Sequence, residues 1–150
     1  MIRLDPHPSE LISAERFLHR RLRNRLNDAL DGHGFSYSQF EVMVLLESRP
    51  RLHAGEIARL MRLSRQSIRG LVHKLSGGGL VDIGPPDGGI RAIELTDLGL
   101  RRARTAWRVL DGTVHAALAQ IPGPERRTIL EAMERCERTL APLRPPWWLD

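Results

Sequence analysis

The first part of the chain carries one continuous apolar stripe. Its members follow one another at intervals of three or four residues, the spacing of one face of an amphipathic helix. They are Leu11, Ala14, Leu18, Leu22, Leu26 and Leu30. Ser9 is a candidate N-cap, and Gly32 and Gly34 are candidate terminators. The pattern predicts a helical N-terminal segment over residues 1–34, with arginines on its other faces.

Three shorter helices are predicted next. Ser36 or Ser38 can cap the first of them, because serine accepts a hydrogen bond from a free backbone N–H of the first turn. The second is short, at about residues 54–61. Ser64 can cap the third, at about residues 65–76.

Two short apolar runs then predict a β-hairpin. The runs lie at residues 80–83 and 90–95, and the glycines, prolines and aspartate of residues 84–89 are typical of a turn. The order helix, helix, short turn, helix and hairpin over residues 36–95 predicts a winged helix-turn-helix, which in DNA-binding proteins places its second motif helix in the major groove.

The last third of the chain is predicted to be helical again, with Thr96 as N-cap and a break at residues 122–124. Apolar residues before and after the break alternate steps of four and three: Ala103, Trp107, Leu110, Val114, Ala117 and Ile121, then Ile129, Met133, Cys136 and Leu140. This heptad-like seam favours helix packing against a second subunit over residues 96–141, although packing back on the same chain stays open. Residues 142–150 form a tail rich in proline, with Trp147 and Trp148.

The helix after Ser64 has two distinct faces. Ile68, Leu71, Val72 and Leu75 share the predicted buried face. The outward face carries basic and amide side chains and no acid; its members are Gln66, Arg69, Gly70 and His73, with Arg65, Ser67 and Lys74 at its margins. Arginine can pair with guanine and glutamine with adenine in the major groove, whereas hydroxyls and lysine suit phosphates.

The positive charge of the chain is concentrated around this helix. The 150 residues carry 23 Lys+Arg and 18 Asp+Glu, a net charge of +5. Residues 49–74 hold seven basic residues and one acid, a net charge of +6. An anionic partner such as double-stranded DNA fits this segment better than the alternative of an ordinary solvated helix face.

Other functional classes find little support in the sequence. A single cysteine, Cys136, fits a reducing cytoplasm, and its apolar seam position predicts a buried thiol. The six histidines show no metal-ligand spacing, and no nucleophile elbow or phosphate loop is present, so we expect no enzyme activity, metal or cofactor. No apolar run reaches the roughly 20 residues of a membrane span, and the first residues do not have the pattern of a signal peptide, which favours a cytoplasmic protein without a membrane partner.

Several motifs together resemble the MarR family of bacterial transcriptional regulators. SYSQFEVMVLL resembles the second helix of that family, EIARLMRLSRQSIRGLVHKL its helix-turn-helix, and DGGIRAIELTDLG its second wing strand and the start of its long fifth helix. The resemblance runs from the first helix to about Leu140. It implies a mainly α fold with a small β-hairpin wing and with N- and C-terminal dimerisation helices. It also implies a homodimeric, ligand- or stress-responsive repressor of a palindromic operator.

The resemblance also implies a set of DNA contacts. On the recognition helix and the wing these are Ser64, Arg65, Gln66, Ser67, Arg69, His73, Lys74, Asp87 and Arg91. The wing departs from the family pattern, which has an arginine two residues after the aspartate. Here Gly89 occupies that position and the nearest arginine is Arg91, whose direction the strand alternation does not determine.

In the family, effectors bind between the DNA-binding lobe and the dimerisation helices. Phe17, Tyr37, Phe40 and Trp107 are the candidates for lining such a pocket, and plain core packing is the alternative for each of them.

Two functional hypotheses follow. The first is a sequence-specific, homodimeric transcriptional regulator released from DNA by a small-molecule effector. The second, suggested by the irregular wing, is a winged-helix dimer with weak or non-specific DNA binding that acts by protein contact.

Overall fold

The computed structural model describes residues 7–140, and it confirms the predicted fold class. The helices are α1 (Pro8–Leu30), α2 (Tyr37–Ser48), α3 (Ala54–Met61), α4 (Arg65–Gly77), α5 (Asp97–Leu118) and α6 (Gly123–Leu140). The strands are β1 (Leu52–His53), β2 (Val81–Asp87) and β3 (Ile90–Leu95). The predicted tail at residues 142–150 lies outside the described residues.

The start of α1 differs from the prediction that Ser9 caps it. His7 is the N-cap: its Nδ1 accepts a hydrogen bond from the backbone N–H of Ser9 at 3.3 Å, and the Glu10 carboxylate accepts one from the backbone N–H of His7 at 3.2 Å. Pro8 explains the difference, because proline suits the first helical position and forces the residue before it to be extended.

The next two helices begin with reciprocal caps. Ser36, rather than Ser38, caps α2; its hydroxyl accepts from the backbone N–H of Gln39 at 3.3 Å, and the Gln39 side chain accepts from the Ser36 N–H at 2.9 Å. His53 and Glu56 make the same exchange at the start of α3, at 3.2 and 3.0 Å. These capping boxes satisfy backbone donors that no helical carbonyl can reach.

The sheet has one strand more than the predicted hairpin, and β2 is longer. β1 pairs antiparallel with β3, giving the strand order β1-β3-β2. β2 continues beyond Ile83 through an irregularity to Pro86 and Asp87. Such irregularities are where strands tolerate prolines, which cannot donate to the ladder. The turn therefore shrinks to Gly88 and Gly89, both with positive φ (54° and 82°), as a tight hairpin turn requires.

The core joins the winged helix to parts of both flanking segments. Its fully buried large side chains are Leu30, Val42, Met43, Leu46, Ile57, Ile68, Leu75 and Val81. Ala103, Ala106 and Leu110 of α5 belong to the same cluster. One side of α5 therefore packs on its own chain, against the expectation that its whole seam needs a partner subunit.

Other apolar side chains of the C-terminal segment are not covered by their own chain. Trp107 is 58 % exposed, and Ile129, Leu130 and Met133 of α6 are also exposed. Cys136 is exposed as well, so the expectation of a buried thiol is wrong for the single chain. Its helix lies outside the core cluster, and that location leaves the thiol in solvent.

Candidate nucleic-acid interface

The predicted recognition helix, α4, has the two faces that its sequence indicates. Ile68, Val72 and Leu75 are buried, whereas the predicted contact residues of its outward surface are all exposed. The Ser64 hydroxyl caps the helix by accepting from the backbone N–H of Ser67 at 3.0 Å, and the two hydroxyls lie 2.8 Å apart. The N-terminal turn of α4 is therefore ordered by its own side chains, with the basic residues directly beyond it.

A tight turn sets the angle between α3 and α4. Arg62 ends α3 in a left-handed conformation (φ 53°), with its backbone N–H donated to the carbonyls of Ala58 and Arg59. Leu63 then donates its N–H to the carbonyl of Ala58 at 2.9 Å. A left-handed residue at a helix end closes the last carbonyls and turns the chain sharply. This turn presents α4 on the outside of the domain.

A groove of about 600 Å³ separates α4 from the wing, which is formed by β2, β3 and their turn. Its lining residues come from the helix, the wing and the start of α3: His53, Ala54, Gly55, Arg65, Arg69, Val72, His73, Ile83, Gly89, Ile90, Arg91 and Ile93. None of these described lining residues is acidic. Three arginines and two histidines make this groove a site for an anionic, chain-like ligand.

The groove brings together four of the nine predicted contact residues. Arg65, Arg69 and His73 follow one another at four-residue spacing along α4 and so share one flank of the helix. Arg91 faces them from the wing, where it pairs with Pro86 in the strand register. The structure thus resolves the direction of Arg91, which the sequence pattern left open.

The other predicted contact residues lie beside the groove. Gln66, Ser67 and Lys74 are exposed on the rest of the outward surface of α4, and Ser64 is its cap. Asp87 lies at the tip of the wing, paired with Ile90 across the turn. Gly70 has no atom within 4 Å of the position a Cβ would take, so the outward surface of α4 is open at its centre.

Sequence reasoning missed several groove residues. Gly89 belongs to a turn that was predicted to be longer than it is, Ile90 begins the predicted second strand, and His53 belongs to a strand that was not predicted. The only sequence signal was the apolar Ile90 directly after two glycines, which places an exposed side chain at a hairpin tip.

One basic residue of the 49–74 segment, outside the groove lining, has an acidic partner. Arg51 forms an ion pair with Glu94, with its Nε at 3.3 Å from the carboxylate. Both side chains are exposed, so the pair adds little to stability. It does neutralise the Arg51 charge locally.

Three of the four predicted effector residues, Tyr37, Phe40 and Trp107, lie in a row. The rings of Phe40 and Trp107 are stacked with centroids 5.9 Å apart, and Tyr37 lies 6.0 Å from Phe40. Phe40 is almost completely buried, whereas one side of the exposed Trp107 remains open to solvent. Phe17 is exposed on α1, and no aromatic ring contact joins it to the row among residues 7–140.

Polar side chains of α1 and α2 continue this row. The Arg23 guanidinium lies 6.0 Å from the Tyr37 ring and donates to the Ser38 hydroxyl. Burial raises the pKa of the Glu41 carboxyl above its ordinary value, and the nearby positive charges of Arg23 and His19 counteract part of that rise. A second, smaller groove of about 300 Å³ on α1 is lined by Glu15, Arg16, His19, Arg20, Arg23 and Asn24.

The described part of the chain has neither a metal-ligand cluster nor a helix that could span a membrane. Across residues 7–140, three or more potential metal ligands come together nowhere. Within the same residues, every helix is too short or too polar to cross a membrane.

The architecture defines the class of protein. A helix-turn-helix formed by α3 and α4, with a β wing beside α4 and a supporting helix α2, is a winged helix-turn-helix domain. The long helices α1, α5 and α6 flank this domain.

Comparison with known proteins relates the central part of the chain to a family. Residues 33–92 match the model of the MarR family. These residues therefore form a MarR-family winged-helix domain, and the chain as a whole has the fold of MarR-family transcriptional regulators. No curated protein matches the chain.

Three solved structures illustrate the similarity. A MarR-family transcriptional regulator from Rhodococcus sp. RHA1 is 20% identical, with a TM-score of 0.75 over 87% of this chain and 96% of that one. A Mycobacterium tuberculosis MarR family protein in complex with DNA is 23% identical, with a TM-score of 0.72 over 88% and 98%. CouR from Rhodococcus jostii RHA1, bound to p-coumaroyl-CoA, is 21% identical, with a TM-score of 0.74 over 96% and 99%.

Proposed function

We propose that the protein is a sequence-specific transcriptional regulator, which binds a palindromic operator as a homodimer and represses transcription until a small ligand releases it. The observation that carries the proposal is the basic groove between α4 and the wing. The similar Mycobacterium tuberculosis protein was solved with DNA, which supports the same use of the fold here. Because its partner is chromosomal DNA, the protein acts in the cytoplasm.

The groove matches the path of one DNA strand. When a recognition helix lies in the major groove and a wing reaches the neighbouring minor groove, the sugar-phosphate backbone that separates the two grooves passes between helix and wing. Arg65, Arg69 and His73 flank that path on one side and Arg91 on the other. These residues are therefore assigned to phosphates, which set the position of the protein on the duplex.

Base reading is assigned to the part of α4 that projects furthest from the core. Gln66 lies one residue further around the helix than Arg65, away from the wing, and Gly70 lies on the same outward side. Glutamine can make two hydrogen bonds to adenine in the major groove. Gly70 lets the helix backbone approach the base edges, because no side chain stands between them.

The flanking helices supply the dimer interface in this proposal. The exposed apolar residues assigned to this interface are Leu11, Ile12, Phe17, Leu18 and Leu22 on α1, Leu118 on α5, and Ile129, Leu130 and Met133 on α6. Leu98 in the first turn of α5 and Trp107 are also exposed but are not assigned to it. So many large apolar side chains on the described helices of one chain mark an interaction surface. A two-fold dimer would present two α4 helices and so require a palindromic site.

Leu130→Glu is expected to break this dimer. Leu130 is 56 % exposed in the single chain, so a charge there does not disturb the core. In the dimer interface, however, the same charge would be buried with no opposite charge to pair with. We expect a monomer by light scattering, or loss of the helical circular dichroism signal if the single chain is unstable. The control is Leu98→Glu, which places the same charge at an exposed leucine on a different helix, α5. If the Leu130 variant is still a dimer, the proposed interface is wrong. Leu110, at 5 % exposure, is unsuitable because it lies in the core.

The effector is assigned to the row of Tyr37, Phe40 and Trp107. An aromatic ligand can stack on the open side of Trp107, and an anionic group of the same ligand can pair with Arg23. The ligand of the similar CouR structure, p-coumaroyl-CoA, combines an aromatic ring with anionic groups, which supports this chemistry. Release from DNA is then a population shift toward dimers whose α4 helices are misspaced for the operator.

Selection from random duplex DNA at moderate salt tests the proposed function. Enrichment of a palindrome, with half-sites about one helical turn apart, supports it. Salt-sensitive binding without sequence preference contradicts it. That second result favours the alternative function, a winged-helix dimer that acts by protein contact. The observation in favour of this alternative is the charge of the wing tip, because residues 84–90 include no cation and one acid, Asp87.

A further inference from the structure

The tip of the wing carries an exposed apolar side chain and no positive charge. Residues 84–90 read Gly-Pro-Pro-Asp-Gly-Gly-Ile. Ile90 is 52 % exposed, although isoleucine is among the residues most often buried in folded proteins. Ile90 lies outside the core cluster, which contains Ile93 of the same strand. Its side chain is therefore accessible to a partner at the tip of the wing.

The geometry of the tip suits insertion into a narrow space. Ile90 follows the two-residue turn of Gly88 and Gly89 directly, and it is the first residue of β3. Neither glycine has an atom within 4 Å of the position a Cβ would occupy, so the tip is thin and unobstructed. Behind it, Pro85 and Pro86 are exposed and restrict the backbone of β2.

Ile90 is also continuous with the basic groove. It lines that groove together with Arg91, and Arg65 and Arg69 line the opposite wall. A phosphate strand held between these arginines brings the neighbouring minor groove to the wing tip. The surface beyond the groove is therefore a DNA minor groove in this arrangement, and Ile90, directly after the turn, is the apolar side chain of the wing tip that reaches it.

We propose that Ile90 is an apolar wedge that enters the minor groove next to each half-site and partly unstacks one base step. The inference rests on the proposed function. Apolar side chains that enter between base steps kink the duplex toward the major groove. Pyrimidine–purine steps unstack most easily, whereas A-tracts are stiff and attract arginine through their narrow, strongly negative minor groove. A tip with Asp87 and Ile90 but without arginine therefore selects flexible TA or CA steps and disfavours A-tracts.

The test uses the full-length protein and the palindrome recovered by selection. Duplexes carry either a TA step or an A-tract at the position that the wing faces, with dyes at both ends. Anisotropy measures affinity and energy transfer measures the bend. We expect the wild type to prefer the TA duplex about tenfold, near the lower range of what one base pair contributes to specificity, and to bend it. Ile90→Ser is expected to lose both the preference and the bend, and Ile90→Arg to shift the preference toward the A-tract.

Leu98→Ser is the matched control, since it removes an exposed leucine that does not line the groove. It should keep both the preference and the bend. If Ile90→Ser binds, discriminates and bends like the wild type, the wedge is overturned while the proposed function stands. If selection yields no palindrome, the proposed function fails; bending of random DNA that Ile90→Ser abolishes still supports the wedge, and unchanged bending overturns it.

Discussion

Gly99→Ala is expected to destabilise the folded protein by about 3 kcal/mol, the upper range for overpacking a core. Gly99 is buried in the first turn of α5, against the start of the wing. A Cβ at this position would lie 2.0 Å from the carbonyl oxygen of Leu80 and 2.8 Å from a methyl group of Leu95. The carbonyl is backbone and cannot turn aside, so the helix and the strand would have to separate.

Hydrogen bonds also hold α5 against the start of the wing at this contact. A small movement of the helix that relieved the clash would therefore weaken these bonds. The Thr96 hydroxyl donates to the carbonyl of Gly79 at 2.8 Å and accepts from the backbone N–H of Gly99 at 2.9 Å. The backbone N–H of Thr96 donates to the carbonyl of Leu80 at 3.1 Å. These bonds tie the wing to α5, and the alanine would strain them together.

Urea unfolding followed by circular dichroism measures the effect. Gly112→Ala is the matched control, because Gly112 lies in the same helix with no atom within 4 Å of its missing Cβ. Since alanine favours helix more than glycine does, we expect that control to stabilise the protein by about 0.5 to 1 kcal/mol. Equal unfolding midpoints for the two variants would show that the α5–wing contact tolerates a methyl group.

The second large effect is expected for the double variant Arg65→Ala/Arg69→Ala. Both side chains line the groove that is assigned to a phosphate strand, so the variant should lose affinity for operator and random DNA alike. Each lost phosphate contact makes the slope of log affinity against log salt less steep by about 0.9, so the slope should become less steep by about 4 for two arginines in each of the two subunits. Titrations of both duplexes at several salt concentrations measure it.

Gln66→Ala is the counterpart of this experiment. Its side chain is exposed outside the groove lining, on the part of α4 assigned to base reading. We expect an unchanged salt slope and a loss of about 1–3 kcal/mol in discrimination at one base pair. If instead the arginine variant loses only operator affinity and keeps its salt slope, the arginines read bases and the phosphate path through the groove is wrong.

Local signals in the sequence were sufficient for most helices. The helix at 54–61 has the predicted bounds, and Ser64 and Thr96 are the N-caps that the sequence indicates. Caps and apolar periodicity depend on residues three or four positions apart, so they are visible without knowledge of the fold. The buried face of α4 was predicted for the same reason, with Leu71 only partly buried at its edge.

Errors arose where a partner distant in sequence decides the structure. β1 has two residues, and only its pairing with Ile93 and Ala92 of β3 makes it a strand. The length of β2 depends on an irregularity that accommodates two prolines. Leu110 has the same periodicity as Trp107, yet one is buried and the other exposed. Periodicity indicates an apolar face but not the surface against which it packs.

The sequence by itself determined the order of helices and hairpin, the two faces of α4, the local excess of positive charge and the resemblance to a regulator family. Each of these is a property of neighbouring residues. Only the tertiary structure decided that Arg65 and Arg69 face Arg91 across one groove and that Ile90 stands at its outer end. That arrangement depends on the strand register and on the contact between α4 and β2, which join residues distant in the chain through packing that no local pattern encodes.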